Sequence, residues 1–559
     1  MGNSQKIDSL KVLWASGNIQ ILRNLNVNQA IVMSEKEASV DKKGISWSEQ
    51  NISTKIFYEI SDLNFKHQET SFFDYYQRRL QPQKYSQLGP CMAKGDINGD
   101  GLEDIFVGGA ARQSGKIFIQ NVEGGFIPKH LEAFGKMEED LAAEFFDADN
   151  DKDLDLLITG GSTEYSRGFA SVPRLFLNDG KGNFIKNTLA FPQNLNIFSS
   201  TISVNDFDKD GDLDVFMGGR MDNLTFPHSP KSYLFENHKG KFKEVTASFC
   251  PALQYAGMIT AALWLDVDND KIKDLVVAGE WMSIRFFKNT GKKLIEITDK
   301  TSLKNNTGMW RSLASADLDG DGDLDLVAGN YGQNNKYHAS VEHPFFLFAK
   351  DLDNSGSNEL MPAYHIRNSK GEFELFPDFD RNQIAEQTPI IKKKYLYHKD
   401  FAQATMNQLL EDFGRDNLLK LTCENTANVW LENTENGQFT SHSLPIEAQF
   451  SPVNAILISD FDKDGNQDIL LAGNEYQTES STGRTDASLG LFLQGNGKGN
   501  FKSIQQNKSG FLVEGDVKSM ILVNKKVFVG VNNENVKVFK MLMGSSPVGF
   551  VKVKTEKLK

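Results

Sequence analysis

The sequence predicts an all-β repeat fold, a β-propeller, and three observations predict it. A short acidic pattern recurs at intervals of roughly 50 to 60 residues. Each copy is flanked by apolar runs of strand length. A second pattern, an apolar run followed by Asn, a Gly-containing turn and an aromatic, returns in most units. Length alone (559 residues) would also allow several separate cores. A repeat architecture uses the whole chain in one body.

The acidic pattern reads D-x-[DN]-x-D-[GK]-x-x-D. Its copies start at Asp96 (DINGDGLED), Asp147 (DADNDKDLD), Asp206 (DFDKDGDLD), Asp266 (DVDNDKIKD), Asp317 (DLDGDGDLD) and Asp460 (DFDKDGNQD), with a looser copy at Asp351 (DLDNSGSNE). Carboxylates at positions 1, 3, 5 and 9 and a turn at 6 wrap hard oxygen ligands around one point, which suits Ca²⁺. The candidate ligands are Asp96, Asn98, Asp100 and Asp104; Asp147, Asp149, Asp151 and Asp155; Asp206, Asp208, Asp210 and Asp214; Asp266, Asp268, Asp270 and Asp274; Asp317, Asp319, Asp321 and Asp325; Asp460, Asp462, Asp464 and Asp468; and, in the looser copy, Asp351, Asp353, Ser355 and Glu359. Packing that many carboxylates together without a cation raises their mutual repulsion. The expectation is about six Ca²⁺ per chain, with weaker loops where Lys152 and Lys271 replace the turn glycine. An EF-hand would need a bidentate Glu at position 12, where these loops carry Val107, Ile158, Met217, Val277, Ala328 and Leu471.

The runs after the loops (DIFVGG, DLLITGG, DVFMGG, DLVVAGE, DLVAGN, DILLAGN) are β-branched and closed by glycine or a turn residue, so each acidic loop joins two strands. The second pattern (RLFLNDGKGNF, SYLFENHKGKF, IRFFKNTGKKL, NVWLENTENGQF, LFLQGNGKGNF) supplies another hairpin. One unit is therefore four strands, the size of a propeller blade. The six loops, plus a degenerate unit in 515–540, give seven blades; if the Asp351 loop founds its own blade the count is eight. The stretch 373–419 breaks the period as an insertion into the fifth or sixth blade. It carries a helical stripe of Ala402, Met406, Leu409, Leu410 and Phe413. The basic triplet Lys392 to Lys394 reads as a solvated face.

A formal charge of −13 disfavours nucleic acid as a partner, and six bound Ca²⁺ would nearly cancel it. No apolar run is long enough for a membrane span. Cys91, Cys250 and Cys423 form no close pair and read as buried apolar residues. The polar start, Met1 to Ser9, lacks a signal-peptide pattern. No G-x-S-x-G, H-E-x-x-H or P-loop is present, and the histidines lack metal-ligand spacing.

The run from Gly95 to Gly109 resembles FG-GAP/VCBS repeats, the blades of integrin α-subunit heads, and the likeness covers about Tyr85 to Met541. Val12 to Ile31 (VLWASGNIQILRNLNVNQAI) resembles the end of an ASPIC/UnbV domain, with Ala15 where that family usually has proline. The combination is similar to large surface or secreted proteins of Bacteroidetes-type bacteria and to cartilage acidic protein. It implies four regions: the C-terminal part of an ASPIC/UnbV domain over 1–40, a linker and lead-in over 41–84, a propeller over 85–545 with the insertion 373–419, and a tail over 546–559. It also implies a missing N-terminal half of the same polypeptide and an extracellular or outer-membrane surface location. His67 to Pro90 resembles the lead-in to the second propeller of such proteins.

The resemblance further implies that ligands bind on the face opposite the Ca loops. The residues placed there are Arg112, Tyr165, Arg220, Glu280, Trp281, Asn330, Tyr331, Glu475 and Tyr476 after the second strands, with Trp310 and Arg311 before a first strand. Mixed aromatic, Arg and Glu side chains suit a glycan or protein ligand. The function expected is a calcium-stabilised extracellular binding or scaffold module, not an enzyme. The competing reading is a calcium-dependent, lyase-like polysaccharide-active enzyme, with Arg220 and Tyr331 as the imagined catalytic pair.

Overall fold

The computed structural model describes residues 5–13, 19–27, 29–38, 55–131, 136–164, 172–434, 437–479 and 481–542. The chain divides into two units, Met1–Lys55 and Ile56–Lys559. In the first, Lys6–Leu13 and Ile19–Asn26 form an antiparallel hairpin, with Lys6 opposite Asn26 and Leu13 opposite Ile19. Gln20 Nε2 donates to Glu37 Oε2 at 3.1 Å.

The second unit is a β-propeller of four-stranded antiparallel sheets, one of which gains Gly308–Met309 as a fifth strand. In chain order, the first strands of its ring sheets are Met92–Gly95, Glu139–Phe146, Ser199–Asn205, Met258–Leu265, Ser312–Ala316, Val453–Ser459 and Val517–Val523. Each touches the next, and the last touches the first, so the described residues contain a closed ring of seven sheets. The ring is sealed by a strand from the opposite end of the unit. Phe57–Ile60, which the sequence placed in the linker, pairs antiparallel with Lys537–Met541 and becomes the outer strand of the seventh sheet.

The second strands are buried almost throughout: Asp155–Gly161, Asp214–Gly219, Asp274–Met282, Asp325–Gly329 and Asp468–Gly473 expose no side chain. A strand covered on both faces by neighbouring sheets needs a continuous apolar run, which is what the sequence carries. The core therefore lies between sheets. Val276, Ala278 and Phe286 of the fourth sheet pack with Leu326, Ala328 and Leu431 of the fifth. The closing glycines serve close approach: a Cβ on Gly473 would lie 1.8 Å from the Pro452 carbonyl oxygen.

The insertion is larger than the break in the repeat suggested. It leaves the fifth sheet after its second strand, Asp325–Gly329, and returns at its third, Val429–Asn433. Between them Phe345–Lys350, Glu359–Arg367, Phe373–Pro377 and Leu419–Cys423 form a sheet of their own. The Asp351 loop joins the first two of these strands, so it belongs to the insert and founds no blade of the ring. The expected helical stripe is split. His398–Ala402 ends before Thr405, whose capping box starts Met406–Phe413. Met406, Leu409 and Leu410 are buried on that second helix, while Lys392 to Lys394 are exposed.

Candidate metal loops and the covered face of the ring

All seven acidic loops wrap in the same way. The carboxylate at position 1 accepts backbone N–H groups from further along its own loop: Asp96 from Gly99, Asp100 and Gly101; Asp266 from Asp270 and Lys271; Asp317 from Gly320 and Gly322; Asp351 from Ser355 and Gly356; Asp460 from Asp464 and Gly465. Asp147 and Asp206 each accept from the residue at position 6, Lys152 and Gly211. Position 6 takes positive φ throughout. Glycine does so freely; Lys152 (φ 78°) and Lys271 (φ 67°) hold the same turn against their Cβ atoms.

The carboxylate at position 9 is a clamp. Asp214 Oδ2 accepts from Phe207 N, at position 2 of its own loop, and Oδ1 accepts from Asn237 N, at the end of the third strand. The same pair of bonds recurs at Asp104, Asp155, Asp274, Asp325 and Asp468. The third-strand Asn then crosses to the preceding sheet. Asn178 donates to Ile97 O, Asn237 to Ala148 O, Asn289 to Phe207 O and Asn433 to Val267 O, each of them position 2 of the neighbouring loop. In the sixth sheet the backbone of Gly499 makes this contact, to Leu318 O. The sequence marked these asparagines as turn formers; that they rivet one sheet to the next loop was not legible.

The loops fit a cation. Asp147, Asp149 and Asp155 bring one carboxylate oxygen each within 4.8 Å of one another, as do Asp206, Asp208 and Asp210, and Asp266, Asp268 and Asp274. Asp147 Oδ1, Asp206 Oδ1 and Asp268 Oδ1 are buried with no hydrogen-bond partner, which leaves them as donors for a metal. Burial pushes the position-9 carboxyls up, Asp104, Asp274 and Asp325 to about 6 and Asp155, Asp214 and Asp468 to about 7. A bound cation reverses that penalty.

The loops differ in what faces position 3. In the fourth sheet Lys288 Nζ contacts Asp268 and lies 2.9 Å from Asp270. In the third and fifth sheets the residue before the third-strand Asn is Glu236 and Glu432, whose charges bear on Asp208 and Asp319; in the sixth sheet Gln494 donates to Asp462 at 2.5 Å.

On the opposite face, where the second strands end, the chain covers itself. After its closing strand, residues 61–90 run across the mouth of the ring as a strap. His67 N donates to Glu534 O in the seventh sheet and Lys84 N to Gln477 O beside the sixth. Thr163 beside the second sheet donates to Asp74 on the strap, and Arg78 donates to Asn223 beside the third. At the centre, Glu280 accepts from Arg220 at 2.9 and 2.7 Å, from Tyr85 OH at 3.0 Å and from Gln83 at 2.5 Å. Arg311 joins Glu475 at 3.1 Å and Gln83 at 2.5 Å, and Lys518 lies 2.8 Å from Asp516. Burial alone would raise the Glu280 carboxyl, but Arg220 and Arg311 hold it at about 2. A cavity of about 300 Å³ follows the first strands here, lined by Thr201, Thr260, Ser312, Asn454 and the strap residue Leu88.

The expected ligand residues are therefore mostly internal. Arg220, Glu280, Arg311 and Glu475 form the buried network; Asn330 is fully buried and ties Met309 to the insert residue Asn425. Trp281 packs on Phe345 at 4.9 Å, Trp310 lies in the core of the fourth and fifth sheets, and Tyr331 is buried under Arg311. The correction has a physical reason. Side chains at the ends of second strands do point to this face, but the strap and insert occupy it. Arg112 is exposed and Tyr476 half-buried beneath Arg484; Tyr165 lies outside the described residues.

The model of an FG-GAP-like repeat matches residues 96–158 and 266–328, and the ASPIC and UnbV model matches residues 1–40. The chain thus carries FG-GAP repeats and an ASPIC/UnbV segment at its N-terminus. It is 24% identical over 270 residues to the T-cell immunomodulatory protein of Rattus norvegicus (45% of this chain, 42% of that one) and 26% identical over 239 residues to that of Mus musculus (39% and 38%). The chain spans about two fifths of the length of these curated relatives. Among solved structures, the V. cholerae biofilm matrix protein Bap1 aligns at 11% identity over 88% of this chain and 92% of that one, with a TM-score of 0.34. The Dos1 propeller aligns at 8% identity over 84% and 97%, with a TM-score of 0.36. No helix among the described residues is long and apolar enough to cross a membrane.

Proposed function

We propose that this chain is a calcium-stabilised extracellular or cell-surface binding and scaffold module, and that it holds a glycan or protein ligand on the outer surface of the strap and insert. The FG-GAP repeats and the relationship to the T-cell immunomodulatory proteins support an extracellular binding role. The shared wrap of the loops and their unpartnered buried oxygens support calcium as the resident ion.

The observation that carries the reading is the covered mouth of the ring. Arg220 and Tyr331, the pair a lyase-like centre would use, are committed to the buried network and its packing, which favours recognition over catalysis. What faces solvent above them is amphipathic. Phe73 (43% exposed) and Tyr76 (76% exposed) pack edge to face, Lys84 and Arg79 sit over their rings, and Arg79 pairs with Glu386 of the insert. Exposed aromatics beside Arg are the residue types on which sugars and proteins dock.

The test is a glycan array and a proximity-labelling screen with the calcium-loaded chain, repeated with Tyr76→Ala and Arg79→Ala together. Ligands lost with the double variant but kept with a distal surface variant support the reading. Ligands untouched by it place the binding surface elsewhere. Turnover of a polysaccharide that survives the double variant would favour the enzyme.

A further inference from the structure

Where the strap enters the ring, three side chains from two elements turn buried donor atoms toward one another. His67 and Glu69 belong to the strap, and Glu139 opens the first strand of the second sheet. One ligand-type atom from each lies within 4.8 Å of the others. His67 is fully buried, the Glu69 side chain is 3% exposed and Glu139 is 1% exposed. His67 Nε2, Glu69 Oε2 and Glu139 Oε2 have no hydrogen-bond partner among the described residues.

The surroundings orient these groups without filling the space between them. Asn532 Nδ2 donates to Glu69 Oε1 at 2.7 Å, and Gly89 N donates to Glu139 Oε1 at 2.5 Å. Gly89 also keeps the gap open: a Cβ there would lie 3.0 Å from Glu139 Oε1 and 3.2 Å from His67 Nε2. Unlike the acidic loops, this cluster includes an imidazole and uses no loop carboxylate.

We infer that His67, Glu69 and Glu139 form a second kind of metal site, one for a first-row divalent ion such as Zn²⁺ or Mn²⁺, that fastens the strap to the ring. Mixed imidazole and carboxylate donors suit those ions, whereas Ca²⁺ prefers six to eight oxygens. The donor states agree. Burial holds the His67 imidazole at about 3, so it is neutral, and burial raises both carboxyls, Glu69 to about 7 and Glu139 well above its ordinary value with the help of the Glu69 charge. A cation held by one atom from each of the three side chains removes that repulsion. Binding at Nε2 moves the ring proton to Nδ1, so the contact from Asn533 N to Nδ1, 3.2 Å long, is given up. One long neutral hydrogen bond is a small loss beside three metal bonds.

The test titrates the full chain, stripped of transition metals but saturated with Ca²⁺, with Zn²⁺ and then Mn²⁺. Bound metal is counted by elemental analysis, and the ion is located by anomalous diffraction at the zinc edge. The expected result is one tightly bound ion per chain, with uptake weakened at least tenfold in Glu139→Gln and in Glu69→Gln while the calcium count stays unchanged. Glu69→Gln lies on the strap and answers the question if Glu139→Gln folds poorly. No uptake by the parent chain would overturn the site and leave a proton-sharing carboxyl pair. Uptake that persists in both variants would also overturn it and point to the cluster of Asp210, Asp212 and His238.

Discussion

Asn237 binds Asp214 through its backbone and the neighbouring sheet through its side chain: its N–H lies 2.9 Å from Asp214 Oδ1, and its Nδ2 lies 2.8 Å from Ala148 O. One residue thus connects the loop of its own sheet, the third strand and the loop of the sheet before. Replacing Asn237 by Ala leaves the Ala148 and Leu213 carbonyls without their donor and is expected to cost about 1–3 kcal/mol. Chemical denaturation should show a lower midpoint with an unchanged m-value. The same substitution at Asn289 should behave alike.

Lys152 and Lys271 hold left-handed backbone where the other loops have glycine. Lys152→Gly and Lys271→Gly should each stabilise the protein by about 1 kcal/mol by relieving that conformation. Differential scanning calorimetry at saturating calcium reads the gain as a higher Tm.

Lys288 places its ammonium against Asp268 and Asp270, where a metal ion would otherwise draw on the same carboxylates. Calcium at the fourth loop must displace it. Lys288→Gln is expected to tighten that site, seen as one more equivalent, or one tighter equivalent, in calorimetric titration. Lys288→Ala should do the same, since the effect comes from removing the competing charge.

The Glu280 carboxyl is held at about 2 against an ordinary value of 4.5. A group lowered on folding stabilises above its unfolded value and loses that contribution as pH falls through its folded value. Here the contribution is about 3 kcal/mol, complete above pH 4.5 and lost toward pH 2. Glu280→Gln leaves Arg220 buried without its anion and should cost about 3–5 kcal/mol near neutral pH. The gap between the two proteins should close as acid unfolding is followed down to pH 2.

Much of this fold was written in the sequence because each repeat must present the same groups. Asp96, Asp206 and Asp460 head loops whose spacing alone indicated a turn between strands, and the buried second strands read as apolar runs. What stayed hidden depends on distant pairings. Phe57–Ile60 is too short a strand to stand out, and it finds its partner only at Lys537–Met541. The strap is rich in Gln and aromatic residues and reads as a lead-in; its polar groups are buried only because Glu280, Arg311 and Asn532 meet them there. Arg220 and Glu280 read as solvent-facing residues, since residue type does not show that another segment lies on top. His67 and Glu69 are neighbours on the strap, but Glu139 joins them from a distant strand, beyond the reach of any spacing rule.

The central claim is that the acidic loops hold calcium as part of the folded structure. The most direct measurement counts Ca²⁺ bound per chain by calorimetry and follows thermal unfolding with and without EDTA, because an ion bound only by the folded state raises Tm by mass action. About six bound ions, and a large EDTA-induced fall in Tm that added Ca²⁺ reverses, are the expected result. No bound calcium and an unchanged Tm would contradict the account and reduce the loops to hydrogen-bonded turns.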